Sequence, residues 1–145
     1  MTDRKTQKLL EGLQGDLERE LRASLQYMYQ SSLVFGLRSI QVSPYLRKQA
    51  EEEMKHVAFI SDQIVNLGGS PKYTLPKISE AKDLKSMLEV DLDLERHAIL
   101  EYRERVKQAD IAGEIGLKLR LSQMIADETE HMRGLEKILR GWDAS

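Results

Sequence analysis

Apolar residues recur along this chain at intervals of three and four, with charged residues between them. At 3.6 residues per turn such positions share one face, so the spacing predicts amphipathic helices. From about residue 5 to 36, Leu9, Leu13, Leu17, Ser24, Tyr27, Met28 and Ser31 hold this phase, and Glu20 falls on the same inner stripe. Gly36 is the expected stop, and Ser43 followed by Pro44 reads as the N-cap and first residue of a second helix. Its inward face is Leu46, Ala50, Glu53, Val57, Ile60, Ile64 and Leu67, and Gly68-Gly69-Ser70-Pro71 ends it. Residues 69 to about 80 hold the other two prolines and no periodic pattern. A connection of that length can cross the molecule. A third helix, capped by Ser79 or Asp83, carries Leu84, Leu88, Asp91, Glu95, Ala98, Tyr102 and Val106. After a break at Asp110-Ile111-Ala112-Gly113, a fourth carries Leu117, Leu121, Met124, Glu128, His131, Leu135 and Ile138 as far as Gly141. No strand pattern competes. Four long helices joined short, long, short predict an all-α four-helix bundle with one long crossover between the second and third helices.

The inner stripes contain polar residues, and these repeat. Glu53 and His56 form a Glu-x-x-His pair, as do Glu128 and His131, and on a helix such a pair reaches one point from one face. Glu20 lies 33 residues before Glu53, as Glu95 does before Glu128, so the trio Glu20, Glu53, His56 recurs as Glu95, Glu128, His131 at an offset of 75. Leu17, Ala23, Leu25 and Tyr27 are matched at the same offset by Leu92, Ala98, Leu100 and Tyr102. Each helical hairpin folds back between its ligands, so residues 33 apart return to one level along the bundle. Burying four uncompensated carboxylates costs several kcal/mol each. Two divalent cations supply four positive charges against them, with two neutral imidazoles completing the shell. One Glu from each of two helices and Glu-x-x-His from each of the other two is the ligand pattern of di-iron and di-manganese bundles.

Composition narrows the alternatives. The 145 residues suit one domain spanning 1–145, and 32% charged against 41% hydrophobic residues suits long amphipathic helices. The net charge of −2, with both signs interspersed, gives no basic stripe for nucleic acid. With no cysteine, disulfides, thiolate metal sites and a cysteine nucleophile are all excluded. No apolar leader follows Met1 and no run approaches a membrane span, so a cytoplasmic location without membrane partners is expected.

Taken with these residues, the chain resembles the bacterioferritins over nearly its whole length. The segments Glu20-Leu21-Arg22-Ala23-Ser24-Leu25-Gln26-Tyr27, Glu53-Met54-Lys55-His56, Asp91-Leu92-Asp93-Leu94-Glu95 and Asp127-Glu128-Thr129-Glu130-His131 resemble that family's four ligand motifs in order. The resemblance implies a ferritin-like di-iron fold in which Glu20 with His56 serves one iron, Glu95 with His131 the other, and Glu53 and Glu128 bridge. It implies ferroxidase activity, with ferrous iron and dioxygen or peroxide as partners, iron storage or detoxification as the role, and a homo-oligomer, dimer or larger. The ligands by themselves do not exclude manganese. In the family the methionine matching Met54 holds haem b between two subunits; an apolar contact without haem is the favoured reading here. Bacterioferritins continue into a short fifth helix, whereas only Gly141-Trp142-Asp143-Ala144-Ser145 follow the fourth helix in this sequence, which leaves a dimer or smaller assembly open beside a closed shell.

Two other functions are open. A rubrerythrin-like peroxidase shares the fold but carries a further carboxylate where this chain has Ala98, and its rubredoxin-type iron site needs cysteines. A non-catalytic metal- or haem-binding helical module is the alternative from another class. Among secondary residues, Glu52 and Asp127 precede the two motifs and are either acceptors for the imidazole N–H groups or solvated charges. Tyr27 and Tyr102 lie two turns beyond Glu20 and Glu95, within reach of a ligand carboxylate. His97, two positions from Glu95, points away from the centre and reads as surface.

Overall fold

The computed structural model describes residues 3–144. Four helices account for most of them: α1 (Arg4–Leu33), α2 (Ser39–Asn66), α3 (Leu84–Ile111) and α4 (Ile115–Arg140), followed by a short 3-10 turn (Trp142–Ala144). They form the expected all-α bundle. The Asp3 carboxylate caps α1 by accepting from the Thr6 N–H at 2.8 Å. Asp83 does the same for α3 through Ser86 at 2.9 Å, so of the two expected caps Asp83 serves. Ser79 has another role, described below.

The α1–α2 junction differs from the expectation. Helix α1 ends at Leu33, and Gly36, at φ +82°, makes the turn itself. Helix α2 then starts at Ser39, so Pro44 lies inside it and Ser43 is not its cap. The first turn is held by the Gly36, Leu37 and Arg38 carbonyls, which accept from Ser39, Ile40 and Gln41. The bond that Pro44 cannot donate falls on the carbonyl of Ile40, in an exposed turn where water can replace it. The Ser43 hydroxyl instead donates to the Ser31 carbonyl at 2.6 Å and ties the two helices together. Helices α2 and α3 both end on a glycine at positive φ, Gly68 and Gly113. In each case the following N–H reaches back five residues, Gly69 to Ile64 and Glu114 to Ala109, both at 2.9 Å.

The long crossover runs along α1. Gln14 and Lys72 exchange hydrogen bonds of 3.0 Å each, and Gln26 and Ser79 exchange bonds of 2.7 and 2.8 Å. Residue 72 thus lies beside the first half of α1 and residue 79 beside its second half, which carries the chain from one end of the bundle to the other before α3 begins.

The core has two apolar clusters. One holds Leu9, Leu13, Leu17, Val57, Ile60, Ile64, Tyr102, Leu117, Leu121 and Met124; the other holds Tyr27, Leu46, Ala50, Leu88, Leu92 and Leu135. On α2, α3 and α4 a glutamate, Glu53, Glu95 or Glu128, falls in sequence between members of the two clusters, and on α1 Glu20 stands beside Leu21, where the first cluster gives way to the second at Ala23. A polar layer therefore separates two apolar ones at mid-height. Among the described residues, no helix is long and apolar enough to cross a membrane.

Candidate metal centre

Because each glutamate replaces an apolar residue in an inner stripe, helical phase aims all four at the bundle axis. Glu20, Glu53, Glu95 and Glu128 are buried, His56 is buried, and His131 is 12% exposed at its side chain. Their ligand atoms fall into two groups, Glu20, Glu53, His56 and Glu128, and Glu53, Glu95, Glu128 and His131, each gathered within 4.8 Å. Glu53 and Glu128 belong to both. The structure thus brings together all six residues expected from the sequence.

The two groups match across the 75-residue offset. His56 Nδ1 lies 3.0 Å from Glu128 Oε1, 3.5 Å from Glu53 and 3.6 Å from Glu20. His131 Nδ1 lies 2.8 Å from Glu53 Oε1, 3.7 Å from Glu95 and 3.8 Å from Glu128. Each imidazole is nearest to the glutamate of the opposite half, as a shared carboxylate requires. Despite these distances neither Nδ1 makes a hydrogen bond of good geometry, and unpartnered buried atoms occur on all six residues: Glu20 Oε2, both Glu53 oxygens, Glu95 Oε2, Glu128 Oε1 and the two Nδ1 atoms. Lone pairs that converge without facing one another suit a central cation. The donor set of carboxylate oxygens and imidazole nitrogens fits iron or manganese.

Three further side chains position these ligands. Tyr27 donates to Glu95 Oε1 at 2.5 Å, and Tyr102 donates to Glu20 Oε1, so each tyrosine serves the glutamate of the other half. The sequence places both tyrosines near a carboxylate, and the bundle decides which one. Asp127 Oδ2 lies 3.3 Å from His56 Nε2 and holds the ring with Nδ1 inward. Its counterpart Glu52 pairs with Lys55 at 3.5 Å, so one of the two expected acceptors takes that role in this structure. His97 is exposed, as expected, and Met54, 43% exposed, lies on the outside of α2.

Protons as well as cations can balance the four glutamates. Burial pushes Glu53 and Glu128 well above the carboxylate range, and the charges of neighbouring glutamates push them further. Burial lowers His56, but the carboxylates of Glu128, Glu20 and Glu53 gathered around it outweigh that and hold the imidazole far above its ordinary value; His131 is raised in the same way, chiefly by Glu95. Burial also raises Glu20, yet contacts with Glu53, His56 and Tyr102 leave it lowered. Protons on two imidazoles and two carboxyls therefore balance the charge as well as two divalent cations do. The convergent unpartnered atoms, and not charge alone, speak for metal.

Comparison with known proteins agrees. A model of the ferritin-like domain matches residues 10–144. The bacterioferritin of Mycobacterium bovis is 26% identical over 132 residues, covering 90% of this chain and 83% of that protein. That of Brucella melitensis is 28% identical over 130 residues, covering 89% and 81%. The crystal structure of a ferritin-like, diiron-carboxylate protein from Bacillus anthracis superposes with a TM-score of 0.93 at 30% identity, covering 95% of this chain and 99% of the other.

Proposed function

Because the chain belongs to the ferritin-like family, we propose that it is a ferroxidase, oxidising Fe²⁺ to Fe³⁺ with dioxygen or peroxide in iron storage or detoxification. The observation that carries this reading is the set of unpartnered buried atoms on all six residues, two ligand groups sharing Glu53 and Glu128. Glu20 and His56 would hold one iron, Glu95 and His131 the other, and Glu53 and Glu128, which belong to both ligand groups, would be shared. A ferrous pair bound there supplies two electrons, one from each ion, to the oxidant.

The chain's own residues do the rest. Anionic oxygen ligands favour the higher charge of ferric iron, which assists electron loss. Tyr27 and Tyr102 hold Glu95 and Glu20 in place from the apolar clusters on either side, which limit water at the centre. Asp127 fixes the tautomer of His56, leaving Nδ1 free of a proton for the metal. For a peroxidase of the rubrerythrin kind, the position of the extra carboxylate is occupied by the buried methyl of Ala98.

The test is oxygen uptake on adding two equivalents of Fe²⁺ to metal-free protein. Wild type is expected to consume oxygen rapidly, and Glu53→Ala or Glu128→Ala to lose most of that rate together with metal binding. Unchanged oxygen uptake in both variants would rule the proposal out. Replacing O₂ by H₂O₂ distinguishes the two oxidants.

A further inference from the structure

One turn before each single glutamate stands an aspartate, Asp16 before Glu20 and Asp91 before Glu95, again 75 residues apart, and both are fully buried. Their surroundings differ. Asp16 is clasped by Arg105, with Nε 2.7 Å from Oδ2 and Nη2 3.0 Å from Oδ1, and Arg19 adds a second guanidinium. The residue matching Arg105 is Gln30, which is neutral. Gln30 lies beside Asp91 but turns its Nε2 to the Met87 carbonyl at 3.4 Å, and neither oxygen of Asp91 has a hydrogen-bond partner. The other groups that act electrostatically with Asp91 are Glu95 on its own helix, Tyr27 on α1 and Tyr45 on α2, none of them a cation. Packing keeps the difference. Gly12 leaves the space in which the Arg105 guanidinium lies, whereas the residue matching Gly12 is Met87, a buried side chain.

We propose that the two halves of the metal centre are inequivalent, and that Asp91 makes the Glu95–His131 half the tighter one for a divalent cation. This rests on the reading of the six residues as a two-cation site. A cation held by Glu95 and His131 would have Asp91, one helical turn before Glu95 on α3, as a buried carboxyl group with no cation of its own. In the other half, the matching carboxylate is already neutralised by Arg105. In the poorly screened interior, a doubly charged ion at the Glu95–His131 half displaces the Asp91 proton, and the carboxylate so formed contributes strongly to holding the ion. Asp91 is thus a positioning residue for the first cation without being a ligand. The ligand sets of the two halves match across the repeat; Asp127, which steadies His56 alone, favours the other half, and the preference requires the unneutralised Asp91 to outweigh it.

The experiment is a titration of the metal-free chain with Co²⁺, followed by calorimetry and by the visible absorption of the bound ion. Two steps are expected, separated by at least about tenfold in affinity. His131→Ala should remove the tighter step and His56→Ala the weaker one. Asp91→Asn, which keeps the shape of the side chain, should weaken the tighter step by about tenfold and bring the two together. Circular dichroism checks that each variant is folded. Two equal steps in the wild type, or a tighter step removed by His56→Ala, overturns the inference, as does a tight step unchanged in Asp91→Asn. Those results leave the metal-centre reading standing, whereas no Co²⁺ uptake at all removes both.

Discussion

At the scale of single residues the centre is a contest between protons and cations. Glu53, Glu128, His56 and His131 are all held above their ordinary values, and burial, opposed by Gln30 and reinforced by Glu95, pushes Asp91 up to about 8. Groups raised in the folded state stabilise it while protonated. Their contribution is complete below the unfolded values, 3.8 for Asp91, 4.5 for the glutamates and 6.5 for the histidines, and is lost as pH rises through the folded ones. Glu20, held low, works the other way. The melting temperature of metal-free protein in chelator is therefore expected to fall as pH is raised from about 4 to 8, and Asp91→Asn to flatten that fall. Saturating Mn²⁺ or Co²⁺ should reverse the slope, because the metal takes the same atoms and gains as protons leave. Calorimetry in two buffers of different ionisation enthalpy is expected to show protons released on metal binding near neutral pH. Tyr27→Phe or Tyr102→Phe removes a donor from a buried carboxylate and is expected to cost about 1.5–3 kcal/mol in denaturant unfolding.

At the scale of elements, two devices hold the helices in register. Arg105 on α3 crosses to Asp16 on α1, a close approach that only a residue without a side chain permits at Gly12. A methyl group there collides with a guanidinium locked into its pair. Gly12→Ala is thus expected to destabilise the fold by about 1–3 kcal/mol in denaturant unfolding. The second device is the pair of glutamines that pins the crossover to α1. Gln26 is buried, and Gln26→Ala leaves the Ser79 N–H and carbonyl without their partner, at an expected cost of about 1–3 kcal/mol. Both substitutions lie outside the metal cluster, so calorimetry should find Co²⁺ still bound by the folded variants.

At the scale of the molecule, the two apolar clusters and the polar layer between them make the bundle a holder for one centre. Its outer surface is not uniformly polar. Phe35, Leu37, Ile40 and Leu75 are largely exposed, and Met28 and Met54 are partly so. Apolar surface of that extent favours association, and light scattering is expected to give a mass that is a multiple of 16.7 kDa. Protein purified with ample haem supply is expected to lack a Soret band, and a band abolished by Met54→Leu would reverse that reading.

The repeat of Glu20, Glu53 and His56 as Glu95, Glu128 and His131, and the four helical stripes carrying them, were legible in the sequence. Helical phase is a local property, and it puts a side chain on the inner face whatever the partner helix does. The start of α2 was less legible, because Pro44 marks a permitted helix start and not a required one. Which group each polar atom meets was not legible either. That Tyr27 serves Glu95, that Asp127 and not Glu52 holds an imidazole, and that Arg105 neutralises Asp16 while Asp91 is left with Gln30 are all contacts between residues more than sixty positions apart. The chain determined which residues face inward. Only the packing of helix against helix decided which charges are neutralised, since that depends on distances no single helix contains.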